Sequence, residues 1–228
     1  MRPIRSLLFA PANRPDLIKK FPRYHADAFA IDFEDAVPEP EKTSARRELP
    51  GIVAGLRDQS LKGQIFVRTN EFRSPHAEAD LAAAVGTPID GIIAPKLETA
   101  AGLQFFAEAV SNAQARTGRA IQLIGLIETV RGVVNVEALA ADNIHLSALA
   151  FGAEDFITNI GAAARPKVWR CSTRALVWFL PQKPLGSKQS TRYSRTSGIT
   201  RHFGGTPNSA DNSGTPANCA SLRGRPRS

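Results

Sequence analysis

Short, nearly unbroken apolar runs alternate with longer amphipathic stretches over the first 165 residues of the chain. The runs are IRSLLFA (4–10), AFAIDF (28–33), QIFVRT (64–69), GIIAPK (91–96), QLIGLIE (122–128) and SALAFGA (147–153). Runs of this kind suit parallel strands covered on both faces. Between them lie RPDLIKKFPRYHA, PEKTSARRELPGIVAGLRDQ, PHAEADLAAAVG, TAAGLQFFAEAVSNAQARTG and RGVVNVEALAADN, each expected to be helical. In the fourth, Leu103, Phe106, Ala107 and Val110 share one face, and Gly118 stands where a C-terminal cap would. Six β-α units in succession predict a doubly wound sheet or a TIM barrel.

Polar residues help to choose between the two. At or just after the ends of successive strands come Asp32, Glu34 and Asp35, then Arg68 and Asn70, then Lys96 and Glu98, then Glu128, then Glu154 and Asp155. In a barrel, strand ends converge on one mouth, so groups spread over five units can meet around one substrate. An open doubly wound sheet gathers them mainly at one switch point, and no GxGxxG or P-loop follows the first strand. The expected fold class is therefore α/β: an incomplete TIM (β/α)8 barrel of about six β-α units over residues 1–165.

Composition changes this picture only beyond residue 165. The net charge of +8 suggests a basic protein, but residues 166–228 hold eleven Lys and Arg against one acid, Asp211. Residues 1–165 carry 18 basic and 20 acidic side chains, close to balance. Both cysteines, Cys171 and Cys219, and both tryptophans, Trp169 and Trp178, also fall after residue 165. The first segment thus offers no disulfide framework and no thiolate zinc site. SLLFAPA is too short for a signal-peptide core, and no apolar run has the length of a membrane span, so a soluble cytoplasmic protein is expected.

Glu128 and Asp155, at the ends of the fifth and sixth strands, can supply two hard oxygen ligands to one cation, as Mg²⁺ commonly takes. Arg68 can fork onto a substrate carboxylate or an enolate oxygen. Taken singly, any of these strand-end charges is as easily a solvated or salt-bridged group; their recurrence at successive strand ends argues for a site.

SLLFAPANRPDLIKK, AIDFEDAVPEPEKTSAR, IFVRTN, PKLE, LIETVRG and FGAEDF, in this order, closely resemble the HpcH/HpaI aldolase and citrate lyase β-subunit family, including citramalyl-CoA and malyl-CoA lyases. The resemblance covers residues 1 to about 164. Ala12 is a departure, since relatives usually carry Gly in that first loop. The resemblance implies Mg²⁺ (or Mn²⁺) held by Glu128 and Asp155, with Arg68 and Glu128 touching substrate. It implies that Asp32, Glu34 and Asp35 form an outer layer orienting metal-bound water, and that Lys96 lies in the pocket. For Asp35 a helix N-terminal acid cluster is the alternative, and for Lys96 a salt bridge to a neighbouring acid.

The activity so implied is carbon–carbon cleavage of a 3-hydroxyacyl-CoA of the citryl, citramalyl or malyl type, or its reversal. An HpaI-type aldolase acting on free hydroxy-oxo acids is the alternative enzyme, and a non-catalytic fragment with a basic binding tail the alternative outside enzymology. The partners implied are a small-molecule substrate and further copies of the chain, with neither nucleic acid nor membrane. In the acyl-CoA lyases of the family the base is a C-terminal carboxylate reaching over from a neighbouring subunit. The C-terminal region here does not match the family, no base is assigned, and little or no lyase activity is expected of the chain as written.

After residue 165 the family pattern is replaced by RPKVWRCSTRALVWFLPQKPLGSKQSTRYSRTSGIT. Back-translated with free third positions and read two nucleotides along, this segment permits EGVEVLYARSGLVSAAKA and then AIDTVFTDIRD, close to what relatives have next. Residues 166–228 are accordingly expected to be an out-of-frame, disordered tail, with ALVWFLP an aggregation-prone run rather than a strand. The alternative is a genuine basic extension, although it lacks a repeat, an RGG pattern and aromatic interleaving.

Overall fold

In a computed structural model, residues 4–141, 146–161 and the backbone of 176–179 are described. The apolar runs form β1 (Leu7–Pro11), β2 (Ala28–Asp32), β3 (Gln64–Arg68), β4 (Gly91–Ala94), β5 (Gln122–Ile127) and β6 (Leu146–Phe151). All six are parallel and each pairs with the next in sequence. A doubly wound sheet would reverse its strand order at a switch point. Here the order never reverses, which is the winding of a partial TIM-like barrel left as an open sheet.

Alternate residues along the strands divide into two cores. Phe29, Ile31, Ile65, Val67, Ile92, Ala94, Leu123 and Ile127 pack against the helices. Ala28, Ala30, Phe66, Ile93, Ile124, Leu126, Ala148 and Ala150 pack with one another on the other face, the barrel interior. The period of two carries the interior row onward to Asp32, Arg68 and Glu128. Three charged groups therefore cap an apolar interior at the C-terminal ends of the strands.

The helical layer is α1 (Pro15–Ile18), α2 (Lys42–Asp58), α3 (Ala77–Val85), α4 (Ala100–Thr117), α5 (Val130–Val134), α6 (Val136–Ala141) and α7 (Ala153–Asn159). Helix α4 follows its expected pattern: Thr99 caps the start by accepting from Gly102 N–H at 3.2 Å, and Gly118 ends it at φ 66°. Two expected helices are broken. The first stops after four residues and continues as a 3-10 turn at Phe21–Arg23, where Pro22 supplies no amide donor. The fifth divides at Asn135, whose side chain donates to Glu98 O at 2.8 Å.

The expectation for ALVWFLP is corrected. Leu176–Phe179 forms β7, antiparallel to β6, with Leu176 opposite Phe151 and Phe179 opposite Ala148. Beta-branched and aromatic residues suit an exposed strand edge, and β6 offers one. The remainder of the expected disordered tail lies outside the described residues. Among the described residues no helix is long and apolar enough to cross a membrane.

Candidate active site at the strand ends

Asp32, the last residue of β2, and Arg68, the last of β3, sit opposite each other in the parallel register. Adjacency in the ladder makes a two-point bond geometrically easy. Arg68 Nε and Nη2 each donate to one Asp32 oxygen at 2.7 Å. Its third nitrogen, Nη1, lies 3.0 Å from Glu34 Oε2 without hydrogen-bond alignment, which leaves that buried oxygen with an unfilled acceptor. The guanidinium also stands 5.5 Å over the Phe9 ring. Its side chain is only 13% exposed, yet three carboxylates stabilise its charge against burial and hold it fully protonated.

Lys96 follows β4 and joins two acids through different atoms. Its Nζ donates to Glu34 Oε1 at 2.7 Å and lies 3.5 Å from Asp35 Oδ1. Its backbone N–H donates to Glu128 Oε1 at 2.9 Å. That second bond accompanies a left-handed backbone at φ 45°, which a residue with a Cβ adopts only when its surroundings hold it there.

Glu128 comes directly after β5 and is 2% exposed. Its Oε2 lies over the bare Cα of Gly152, where an added Cβ would sit 2.5 Å away. Burial pushes Glu128 up to about 8, helped by the charges of Glu34 and Asp155 and opposed by the Lys96 N–H. Burial likewise raises Glu34 to about 7 although Arg68 and Lys96 pull it down. For both acids desolvation outweighs pairing, so burial favours their protonated forms. Asp155 lies half-buried in the first turn of α7, one strand over, close enough to act on Glu128.

Asp32, Glu34, Arg68, Lys96 and Glu128 thus converge, with Asp35 exposed at the rim. Asn70 turns away from them. Its Nδ2 donates to Asp80 at 2.6 Å and its Oδ1 accepts from Lys42 Nζ at 2.9 Å. Glu98 contributes its carbonyl to Asn135, and Glu154 is exposed. Lys42, Asp80 and Gly152 were not legible as site residues. Lys42 is hidden among the acids of PEPEKTSAR, which reads as a solvated helix start, and Gly152 looks like ordinary loop punctuation.

As a candidate metal centre, the described residues hold no group of three or more His, Cys, Asp or Glu around one point. They do offer Glu128 and Asp155 as oxygen donors on neighbouring strand ends, and Glu34 Oε2 as an acceptor without a donor. Two carboxylates with the other positions left to water and substrate fit Mg²⁺.

Comparison with known proteins finds relatives of one family. Residues 5–175 match the family model described as HpcH/HpaI aldolase/citrate lyase. A citrate lyase subunit beta-like protein of Deinococcus radiodurans is 38% identical over 168 residues, 72% of this chain and 56% of that one. The human mitochondrial citramalyl-CoA lyase is 31% identical over 71% of this chain and 51% of its own length. Among solved structures, RipC from Yersinia pestis superposes with a TM-score of 0.54 at 31% identity, covering 72% of this chain and 65% of RipC. The citrate lyase beta subunit of M. tuberculosis, complexed with oxaloacetate and magnesium, superposes at 0.51 with 30% identity, over 72% and 65% of the two chains. The chain spans about half the length of the curated relatives it matches.

Proposed function

The chain belongs to the HpcH/HpaI aldolase/citrate lyase family, and from that premise we propose that its strand-end cluster serves divalent-metal-dependent carbon–carbon cleavage of a 3-hydroxyacyl-CoA. The observation that carries this reading is the buried alternation of charge, Asp32, Arg68, Glu34, Lys96 and Glu128, at the mouth of the partial barrel.

Cleavage passes the proton of the 3-hydroxyl to a base, a group not assigned among the described residues, breaks the C2–C3 bond, and leaves a carbonyl on one fragment and an enolate on the thioester fragment, which takes up a proton from solvent. Negative charge thus moves toward the thioester oxygen. A group that stabilises it must be positive and fixed beforehand. Arg68 meets both conditions, since Asp32 holds one edge of its guanidinium while an N–H on each terminal nitrogen stays available. Lys96 supplies a second fixed positive charge 2.7 Å from Glu34.

Glu128 and Asp155 are the residues that would hold the cation. Bound there, a hard divalent ion would polarise the substrate carboxylate and the oxygen beside it. Glu34, with its unfilled acceptor, would orient a water or a substrate hydroxyl. A 2-oxo acid such as the oxaloacetate bound by the mycobacterial relative is the product class such a mouth would release.

The test is Mn²⁺ binding by electron paramagnetic resonance on the full chain, beside cleavage assays on citryl-, citramalyl- and malyl-CoA and the corresponding free acids. Glu128→Gln and Asp155→Asn are expected to abolish binding at concentrations that saturate the parent. Unchanged binding by either variant overturns the ligand assignment, and equal turnover of a free acid overturns the thioester assignment.

A further inference from the structure

Lys42 is 6% exposed, and all three of its ammonium protons are used. Nζ donates to Phe33 O at 2.7 Å, Glu34 O at 2.9 Å and Asn70 Oδ1 at 2.9 Å. Among the described residues no carboxylate pairs with it directly. Its countercharge arrives through Asn70, whose Nδ2 donates to Asp80, a fully buried acid that also takes Asn70 N–H at 2.8 Å and Arg46 Nη1 at 2.8 Å. A buried ammonium is costly unless its donors are satisfied, and here two of the three acceptors are consecutive backbone carbonyls.

That detail gives the residue its role. Successive carbonyls of an extended strand point in opposite directions. At Phe33 and Glu34 both point at one nitrogen, so the chain leaves the strand at this point. The turn is closed from the other side by Glu34 N–H on Asp32 Oδ1 at 3.0 Å and by Phe33 N–H on Arg68 O at 2.9 Å. With its backbone so fixed, Glu34 is left only its side-chain torsions, and these bring its carboxylate to Arg68 and Lys96.

We propose that Lys42 is a positioning residue for this site: its buried ammonium sets the Phe33–Glu34 turn and, through the Asp32 carboxylate that accepts both Glu34 N–H and Arg68 Nε–H, the attitude of the Arg68 guanidinium. The proposal deepens the lyase reading, on which only its substrate consequence rests. Lys42 touches no reacting atom. It acts from behind the turn, where a substrate cannot reach it.

The experiment is ¹⁵N NMR of the full chain, following hydrogen exchange of the Arg68 Nε–H, a signal identified by its loss in Arg68→Lys. Lys42→Met keeps the length of the side chain and removes its donors and charge. It is expected to speed Arg68 Nε–H exchange by about tenfold or more, the worth of a charge-assisted hydrogen bond. Val53→Ala, a cavity in the same helix far from the turn, serves as the comparison and is expected to lower Tm without changing that exchange. Should Lys42→Met fail to fold, Lys42→Arg replaces it, because a planar fork cannot place three donors on three acceptors that meet at one point; it too should accelerate the exchange.

An exchange rate in either Lys42 variant that matches Val53→Ala overturns the proposal. Oxaloacetate affinity is measured alongside and is expected to fall by about tenfold or more in Lys42→Met, as for other residues that orient a site from behind. Failure of oxaloacetate to bind even the parent chain counts against the lyase reading and leaves the exchange result to decide the positioning role.

Discussion

Gly152→Ala sets a methyl group against the carboxylate on which the mouth is organised. The new Cβ would lie 2.5 Å from Glu128 Oε2, 2.8 Å from Glu128 Cβ and 3.4 Å from its carboxyl carbon. Turning a flexible carboxylate would relieve the first contact. It cannot relieve the second, because Glu128 Cβ is fixed by the backbone directly after β5 and Gly152 N–H is itself bonded to Ile127 O at 2.9 Å. Either the ends of β5 and β6 separate or Glu128 loses the bond from Lys96. Overpacking of this kind costs about 1–3 kcal/mol. For a domain of this size each kcal/mol lowers Tm by ~2–4 °C, so a drop of about 2–12 °C is expected. Gly51→Ala and Gly55→Ala, in helix α2, meet nothing within 4 Å and serve as controls; each should raise Tm, since alanine is favoured over glycine inside a helix by about 0.5–1 kcal/mol. The assays are thermal unfolding followed by circular dichroism and Mn²⁺ affinity by electron paramagnetic resonance. The affinity of Gly152→Ala should fall about tenfold or more, as when a ligand loses its supporting contacts. A variant that melts with the parent and binds Mn²⁺ as tightly would show that Glu128 does not depend on the bare Cα beside it.

Two further outcomes follow from the same cluster. Arg68→Lys keeps the charge but loses the two-point bond to Asp32, so unfolding free energy should fall by about 1–3 kcal/mol and oxaloacetate binding should weaken strongly; affinity within about twofold of the parent would reduce Arg68 to a general electrostatic role. Burial pushes Glu34 up to about 7 and Glu128 up to about 8, both above the usual 4.5, so the native state favours protons that the unfolded chain has released. Without metal, their contribution is complete below about pH 4.5, is lost progressively up to about pH 8, and is flat beyond. Added Mg²⁺ should bind more tightly as pH rises through the same window, because it requires the ionised carboxylate. Urea midpoints across that range, with chelator and with Mg²⁺, check both signs. A midpoint that climbs with pH in chelator would contradict the burial argument.

The strands were legible because β2–β6 are buried on both faces and β1 is an apolar run of the same kind, and Asp32, Arg68 and Glu128 were legible because they extend the interior-facing alternation of Ala28 and Ala30, of Phe66, and of Ile124 and Leu126. Local signals ended there. Helix α1 fails after four residues although its composition reads as helical to Ala26, and the break at Asn135 depends on a carbonyl 37 residues earlier. Lys42 is an ordinary surface lysine by every local criterion; only the meeting of the ends of β2 and β3 gives its ammonium three acceptors. β7 escaped because a four-residue apolar run acquires a structure only from the edge it finds, and its antiparallel direction breaks the β-α rhythm of everything before it.

Lys96 joins Glu34 by its side chain and Glu128 by its backbone, across a left-handed residue with little freedom to adjust. Such a residue works as a yoke. A rotation that improves one bond must alter the other, so the two acids do not respond independently to what binds beside them. Reciprocity then follows: by whatever factor an occupant of Glu128 changes the affinity of a ligand held by Glu34, that ligand changes the affinity at Glu128 by the same factor. The order in which two ligands arrive at this mouth would leave their combined affinity unchanged.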